Sequence, residues 1–159
     1  MIQGLLRIAG QQPQSWCDMM LAEAIVRLRD FSPTDDEAFD VGTLYGLIDE
    51  LGRLKHAVEV RGELIRIFER HPDASLGSPG PIVHALEESP IDDHVDLLVE
   101  ALGRQPTVMT VWMAERCFRS NLSDRNRQAL LNVLRGAAEK PMSEEIASSI
   151  EEALEEYGT

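Results

Sequence analysis

Cysteine is almost missing: the 159 residues hold two, Cys17 and Cys117, in no C-x-x-C spacing. That excludes a disulfide framework and a zinc knuckle, and points to two reduced, packed thiols. Long apolar runs are absent too. No stretch approaches the roughly 18–20 residues that span a bilayer, so a membrane is not expected as a partner. The opening MIQGLLRIAGQQPQSW is too short and too lightly charged for a signal peptide, which makes the cytoplasm the expected location. Basic residues are scarce, with 15 Lys and Arg against 28 Asp and Glu and a net charge of −13. Such a balance excludes a duplex nucleic acid as the natural partner, because those ligands are held by cations that displace phosphate counterions. It disfavours an anionic membrane surface for the same reason. Sustained alternation of β-branched and aromatic residues is lacking, which leaves little basis for strands. Hydrophobic residues, at 43%, suffice for the core of one domain over residues 1–159 and exclude general disorder.

The apolar residues recur at helical steps. After the turn signal Gln12-Pro13, Ser15 caps a predicted helix to about Asp30 with Trp16, Met20, Leu21, Ala24, Ile25 and Leu28 on one stripe. Ser32-Pro33-Thr34-Asp35-Asp36-Glu37 opens a second, with Val41, Leu44, Tyr45, Ile48 and Leu51 inward; Gly42, Gly46 and Gly52 suggest a break within it. From Arg53 to His71, Ala57, Val60, Leu64, Ile67 and Phe68 face one way, with Arg61, Arg66, Glu69 and Arg70 opposite. The loop Leu76-Gly77-Ser78-Pro79-Gly80-Pro81 leads into a short helix over Ile82–Glu88. Four more helical stretches follow, bounded by Pro90, Pro106, Pro141 and Gly158 and capped by Thr107, Ser123 and Ser143. The expected fold is all-α, an antiparallel array of about seven to eight helices.

A weak period runs through this pattern, of a kind that a helical bundle with similar helix lengths and Pro stops would also produce. Leu64, Ile65, Phe68, Arg70 and Pro72 match Leu98, Val99, Leu102, Arg104 and Pro106 at an offset of 34, and these match Val133, Leu134 and Pro141 at 35. Periods of this length describe stacked helix pairs, and without the tetratricopeptide signature the array reads as HEAT-like.

Catalytic signatures are hard to find. H-E-x-x-H and G-x-S-x-G are absent, and GSPGP lacks the Lys and the amide donors of a phosphate loop. The nearest approach to a metal site is His84 with Glu87 and His94, but the primary expectation for His84 is to tie down the preceding loop. No metal, cofactor or catalytic residue is expected. A Cys–His pair built from distant segments is the one nucleophilic arrangement left open.

Charge, by contrast, is organised. Asp30–Gly52 holds seven acids, Leu86–Glu100 six and Pro141–Thr159 six, all without Lys or Arg. On a helix Asp92, Asp93, Asp96 and Glu100 repel by about 0.2–0.5 kcal/mol per neighbouring pair, a cost that solubility or a basic partner would explain. Candidate partner-binding residues are Glu87, Glu88, Asp92, Asp93 and Asp96, with Asp35, Asp36 and Glu37 as a second patch.

Two segments, LGSPGPIVHALE at Leu76–Glu87 and RQPTVMTVWM at Arg104–Met113, together resemble a motif pair of bacterial immunity proteins from polymorphic-toxin and contact-dependent inhibition systems. The resemblance covers about 40 residues. It implies an all-helical protein that binds and neutralises a cognate toxin domain, often a nuclease, and it carries no catalytic residues over. The same motif residues have structural readings: Gly77 and Gly80 for backbone angles closed to other residues, Pro79 and Pro81 for stiffness and a helix start, His84 for the loop, Trp112 for the core. A HEAT-like acidic adaptor unrelated to toxins is the alternative.

Overall fold

A computed structural model describes residues 15–159. The Gln12-Pro13 turn and nearly all of the opening segment read for targeting signals lie outside them. Among the described residues there are eight α-helices and no strand: α1 (Trp16–Asp30), α2 (Glu37–Leu51), α3 (Val58–Arg70), α4 (Pro81–Glu87), α5 (Ile91–Arg104), α6 (Val108–Phe118), α7 (Asp124–Ala138) and α8 (Glu144–Tyr157).

Caps set most of the boundaries. The side chains of Ser15, Asp36, Thr107, Ser123 and Ser143 each accept a hydrogen bond from the amide three residues on, satisfying donors that the first helical turn leaves over. Thr107 does so in a reciprocal box with Thr110, both buried. The glycines of α2 do not break it; the helix runs on to Leu51 and passes at Gly52 into a 3-10 turn over Gly52–His56.

The helices form two layers. In one, α1 packs on α3, α3 on α5 and α5 on α7; in the other, α2 packs on α4 and α6 on α8. The layers are joined by α3 with α4, α5 with α6 and α7 with α8, the packing of stacked helix pairs. Helices α3, α5 and α7 begin at residues 58, 91 and 124 and end at 70, 104 and 138. Buried positions repeat accordingly. Leu64, Ile67 and Phe68 correspond to Leu98, Ala101 and Leu102 at an offset of 34. The next step is 33, from Leu97, Leu98 and Ala101 to Leu130, Leu131 and Leu134. At the offset of 35, Val133, matched to buried Leu98, is only half-buried.

Three expectations about facing also change. Trp16 is 80% exposed and Met20 55%, so the inward stripe of α1 begins at Leu21, half-buried against the core, and its buried members are Ala24 and Leu28. Tyr45 is about half exposed, with Leu47 buried in its stead. Arg61 lies inside rather than on the solvent face of α3, as does Glu63 two positions on.

The GSPGP loop owes its shape to close approach. Gly77 has φ +90°, a left-handed angle that side chains avoid. Gly80 has φ −105°, open to any residue, which corrects the reason given for it. A Cβ there would stand 1.8 Å from the Leu76 carbonyl oxygen. Pro81 occupies the first turn of α4, where its missing N–H costs nothing. His84 does not tie this loop down: its side chain is exposed, on a groove shared with Tyr45, Lys55 and His56. Trp112 is half-buried against the core with the Arg116 guanidinium 4.9 Å from its ring centre.

Candidate functional site

Two neighbouring features of α5 stand out, an acidic row on its outer face and a polar cleft beneath its first turn. The row follows from spacing: Asp92, Asp96 and Glu100 are four residues apart, so they line one stripe, with Asp93 beside them. All four are exposed. Asp92 accepts a 2.6 Å hydrogen bond from the Asn126 side chain of α7, which anchors the row to the next helix. Asp93, Asp96 and Glu100 make no ion pair among the described residues, and of the 28 acids only Glu50, Glu63, Glu69, Glu87 and Glu88 do.

The other candidate acids are placed differently. Glu87 is half-buried and takes two hydrogen bonds from Arg116, at 2.6 and 2.9 Å, so it belongs to the interior lattice of charges. The Arg116 hydrogen bond, with its charge, holds the Glu87 carboxyl below its ordinary range against the opposing effect of burial. Glu88 is exposed and pairs with Lys55 at 2.6 Å. Asp35, Asp36 and Glu37 are exposed at the start of α2, where Asp36 is the cap. Asp40, in the same block, is buried and accepts from the Thr34 amide and hydroxyl. The acidic blocks thus occupy α2, α5 and α8, three helices that pack mainly on other neighbours. They form separate patches.

The cleft, of about 420 Å3, is bounded by Glu87, Ser89, Ile91, His94, Arg116, Cys117, Arg119 and Ser120. His94 comes from the inward side of α5 and is 3% exposed, yet among the described residues neither ring nitrogen meets a hydrogen-bond partner. Burial pushes its pKa down to about 4, opposed by the Glu87 charge and aided by Arg61 and Arg116. The ring is neutral at pH 7. Arg61, from α3, is 5% exposed, and its Nε and Nη2 also lack partners. Desolvation lowers the Arg61 pKa, with the Asp93 charge opposing. Buried polar atoms in this state cost about 1–3 kcal/mol each, so their grouping is informative.

The fold does bring a cysteine and a histidine from distant segments into one cleft. Burial and the Glu87 charge push the Cys117 thiol up to about 12, and no hydrogen bond joins it to His94. The thiol is held protonated, the opposite of an activated nucleophile. His84 is exposed on a different groove from His94, so the His84, Glu87 and His94 side chains do not converge. Among the described residues no three His, Cys, Asp or Glu side chains are arranged to hold a metal. Nor is any helix among them long and apolar enough to cross a membrane.

Spacing alone missed Arg61, Arg116, Arg119 and the burial of His94. The 34-residue register held a signal: His94 occupies the position of Val60, a core position of α3.

No protein-family model, no curated protein and no solved structure matches the chain.

Proposed function

We propose that this protein is an immunity protein of the cytoplasm, one that captures a basic toxin domain of nuclease type and blocks it by occlusion, without making or breaking a bond. The observation that supports the reading is the α5 row. Asp93, Asp96 and Glu100 stand exposed and unneutralised on a helix held between α3, α6 and α7. Their mutual repulsion contributes nothing to the fold, whereas a cationic partner would relieve it and be steered by it. Resemblance of the Leu76–Glu87 and Arg104–Met113 segments to immunity proteins adds the class of partner. In the structure those segments carry the α4 loop, a helix cap and core side chains, so contact with a toxin falls to the neighbouring helix faces. Asp35, Asp36 and Glu37 offer a second, smaller patch.

The test is co-purification with the product of the adjacent gene, followed by stopped-flow association. Changing Asp93, Asp96 and Glu100 together to Lys should slow association at least about tenfold and flatten its dependence on salt. Unaltered rates would reject the row. Capture of a metabolic or ribosomal neighbour in place of a toxin would favour an adaptor.

A further inference from the structure

The cleft under α5 differs in character from the acidic surface around it. Two guanidinium groups, Arg116 and Arg119, line it, and one nitrogen of the neutral His94 ring carries a hydrogen that no described group accepts; Arg61, outside the lining, has Nε and Nη2 in the same state. Arg61 also has no carboxylate within ion-pair reach, although its charge bears on His94. Glu87, the carboxylate lining the cleft, is already engaged by Arg116 through two hydrogen bonds. At the mouth stands Arg119, exposed, with its Nε donating to the Tyr157 hydroxyl at 2.8 Å. An unpartnered buried imidazole beside two guanidinium groups, with the lining carboxylate already engaged, fits a ligand that brings both negative charge and acceptor oxygens. Ile91 and Cys117 supply apolar wall for the rest of such a molecule, within about 420 Å3.

We propose that the cleft walled by α4, α5 and α6 binds a small molecule through a carboxylate or phosphate group, with Arg116 and Arg119 at its mouth and the His94 ring at its floor. This site is independent of protein capture by the outer row of α5, and either can fail while the other stands.

The groups that face His94 are Arg61 from α3, Glu87 from α4 and Arg116 and Cys117 from α6. A bound oxyanion would add negative charge to that set and stabilise the imidazolium. The full chain is titrated with inorganic phosphate and, separately, with succinate, each against sodium chloride at equal ionic strength. The readout is the His94 Cε1–H resonance, assigned through His94→Gln; His56, His71 and His84 serve as internal controls. The expected result is a saturable shift confined to His94 with at least one probe, and an apparent His94 pKa raised by about one unit or more. Response to phosphate alone identifies a phosphoryl ligand, and response to succinate alone a carboxylate. Arg119→Gln, at the exposed rim, should weaken that binding at least about tenfold and leave the core intact. Failure of both probes to saturate beyond the chloride control, or equal binding by Arg119→Gln, would overturn the proposal.

Discussion

Helices α3 and α5 match in their buried positions at an offset of 34, and each carries buried polar side chains where the other is apolar, Arg61 of α3 standing against Val95 of α5. Glu63 of α3 corresponds to Leu97 of α5, and His94 of α5 to Val60 of α3; all four are buried. The two intrusions have opposite fates. Glu63 receives Arg29 from α1 at 3.0 Å, Arg66 at 3.2 Å and Arg70 at 3.3 Å. Burial pushes its carboxyl up, but the Arg29 hydrogen bond and the three guanidinium charges outweigh it and leave the pKa lowered. Arg70 also donates to the Leu28 carbonyl, tying α3 to α1. His94 receives nothing. Helix α3 uses Glu63 to join helices, while Arg61 on the same helix and His94 of α5 keep unsatisfied nitrogens, the latter beside an open cleft. Burial alone does not say what a polar group does; whether its hydrogen bonds are satisfied is a second, independent observation.

Experiments can press on that contrast. The largest effect is expected at Glu63, where Glu63→Ala should lower the unfolding free energy at pH 7 by about 2–4 kcal/mol in urea denaturation, since three guanidinium groups lose their common acceptor. A loss below about 1 kcal/mol would reduce the cluster to ordinary surface pairing. Because the folded pKa is lowered from 4.5, this contribution is complete above that pH and disappears as pH falls through the folded value, so wild type and variant should converge in acid.

His94→Leu should act in the other direction. Removing an unsatisfied ring from the core is expected to raise stability at pH 7 by about 1–2 kcal/mol. It should also remove part of the acid sensitivity. With a folded pKa of about 4 against an ordinary 6.5, the unfolded chain takes up the proton first, so stability falls as pH drops from 6.5 through about 4. Unfolding midpoints across that window should slope for the wild type and be flatter for the variant. A destabilised His94→Leu would mean that the ring has a partner after all.

Smaller changes sharpen the picture. Arg116→Met strips Glu87 of its two hydrogen bonds in a half-exposed setting and should cost about 1 kcal/mol by the same assay. Asp96→Asn relieves repulsion with Asp92, Asp93 and Glu100 and should gain about 0.2–0.5 kcal/mol. A clear loss there would make the row part of the scaffold instead of a docking surface.

Much of the scaffold was legible because its signals are local. Ser15, Thr107, Ser123 and Ser143 marked helix starts that the structure confirms, and the 34-residue match of Leu64 and Phe68 to Leu98 and Leu102 is a true packing equivalence. The acidic row was legible as well, since a period of four on a helix needs no tertiary information. The interior polar network was not. Arg61 reads as solvent-facing and is buried, and Glu63 finds its cover only when Arg29, 34 positions before it, is brought across by the packing of α1 on α3. Trp16 and Met20 erred the other way, for an apolar stripe reports the capacity to be covered without naming a cover. The cleft gathers side chains from three helices, and no spacing rule encodes that meeting.

The stacking has a mechanical corollary. Helices α3, α5 and α6 are each gripped by several neighbours, whereas α1 packs on α3 and α8 on α6 and α7, and these two outer helices each commit only two buried residues, Ala24 with Leu28 and Ile150 with Ala153. Amide exchange should therefore begin at these outer helices and reach α5 last. The segment that presents both the carboxylate row and the cleft would then be the last to yield when the molecule is unravelled from either extremity.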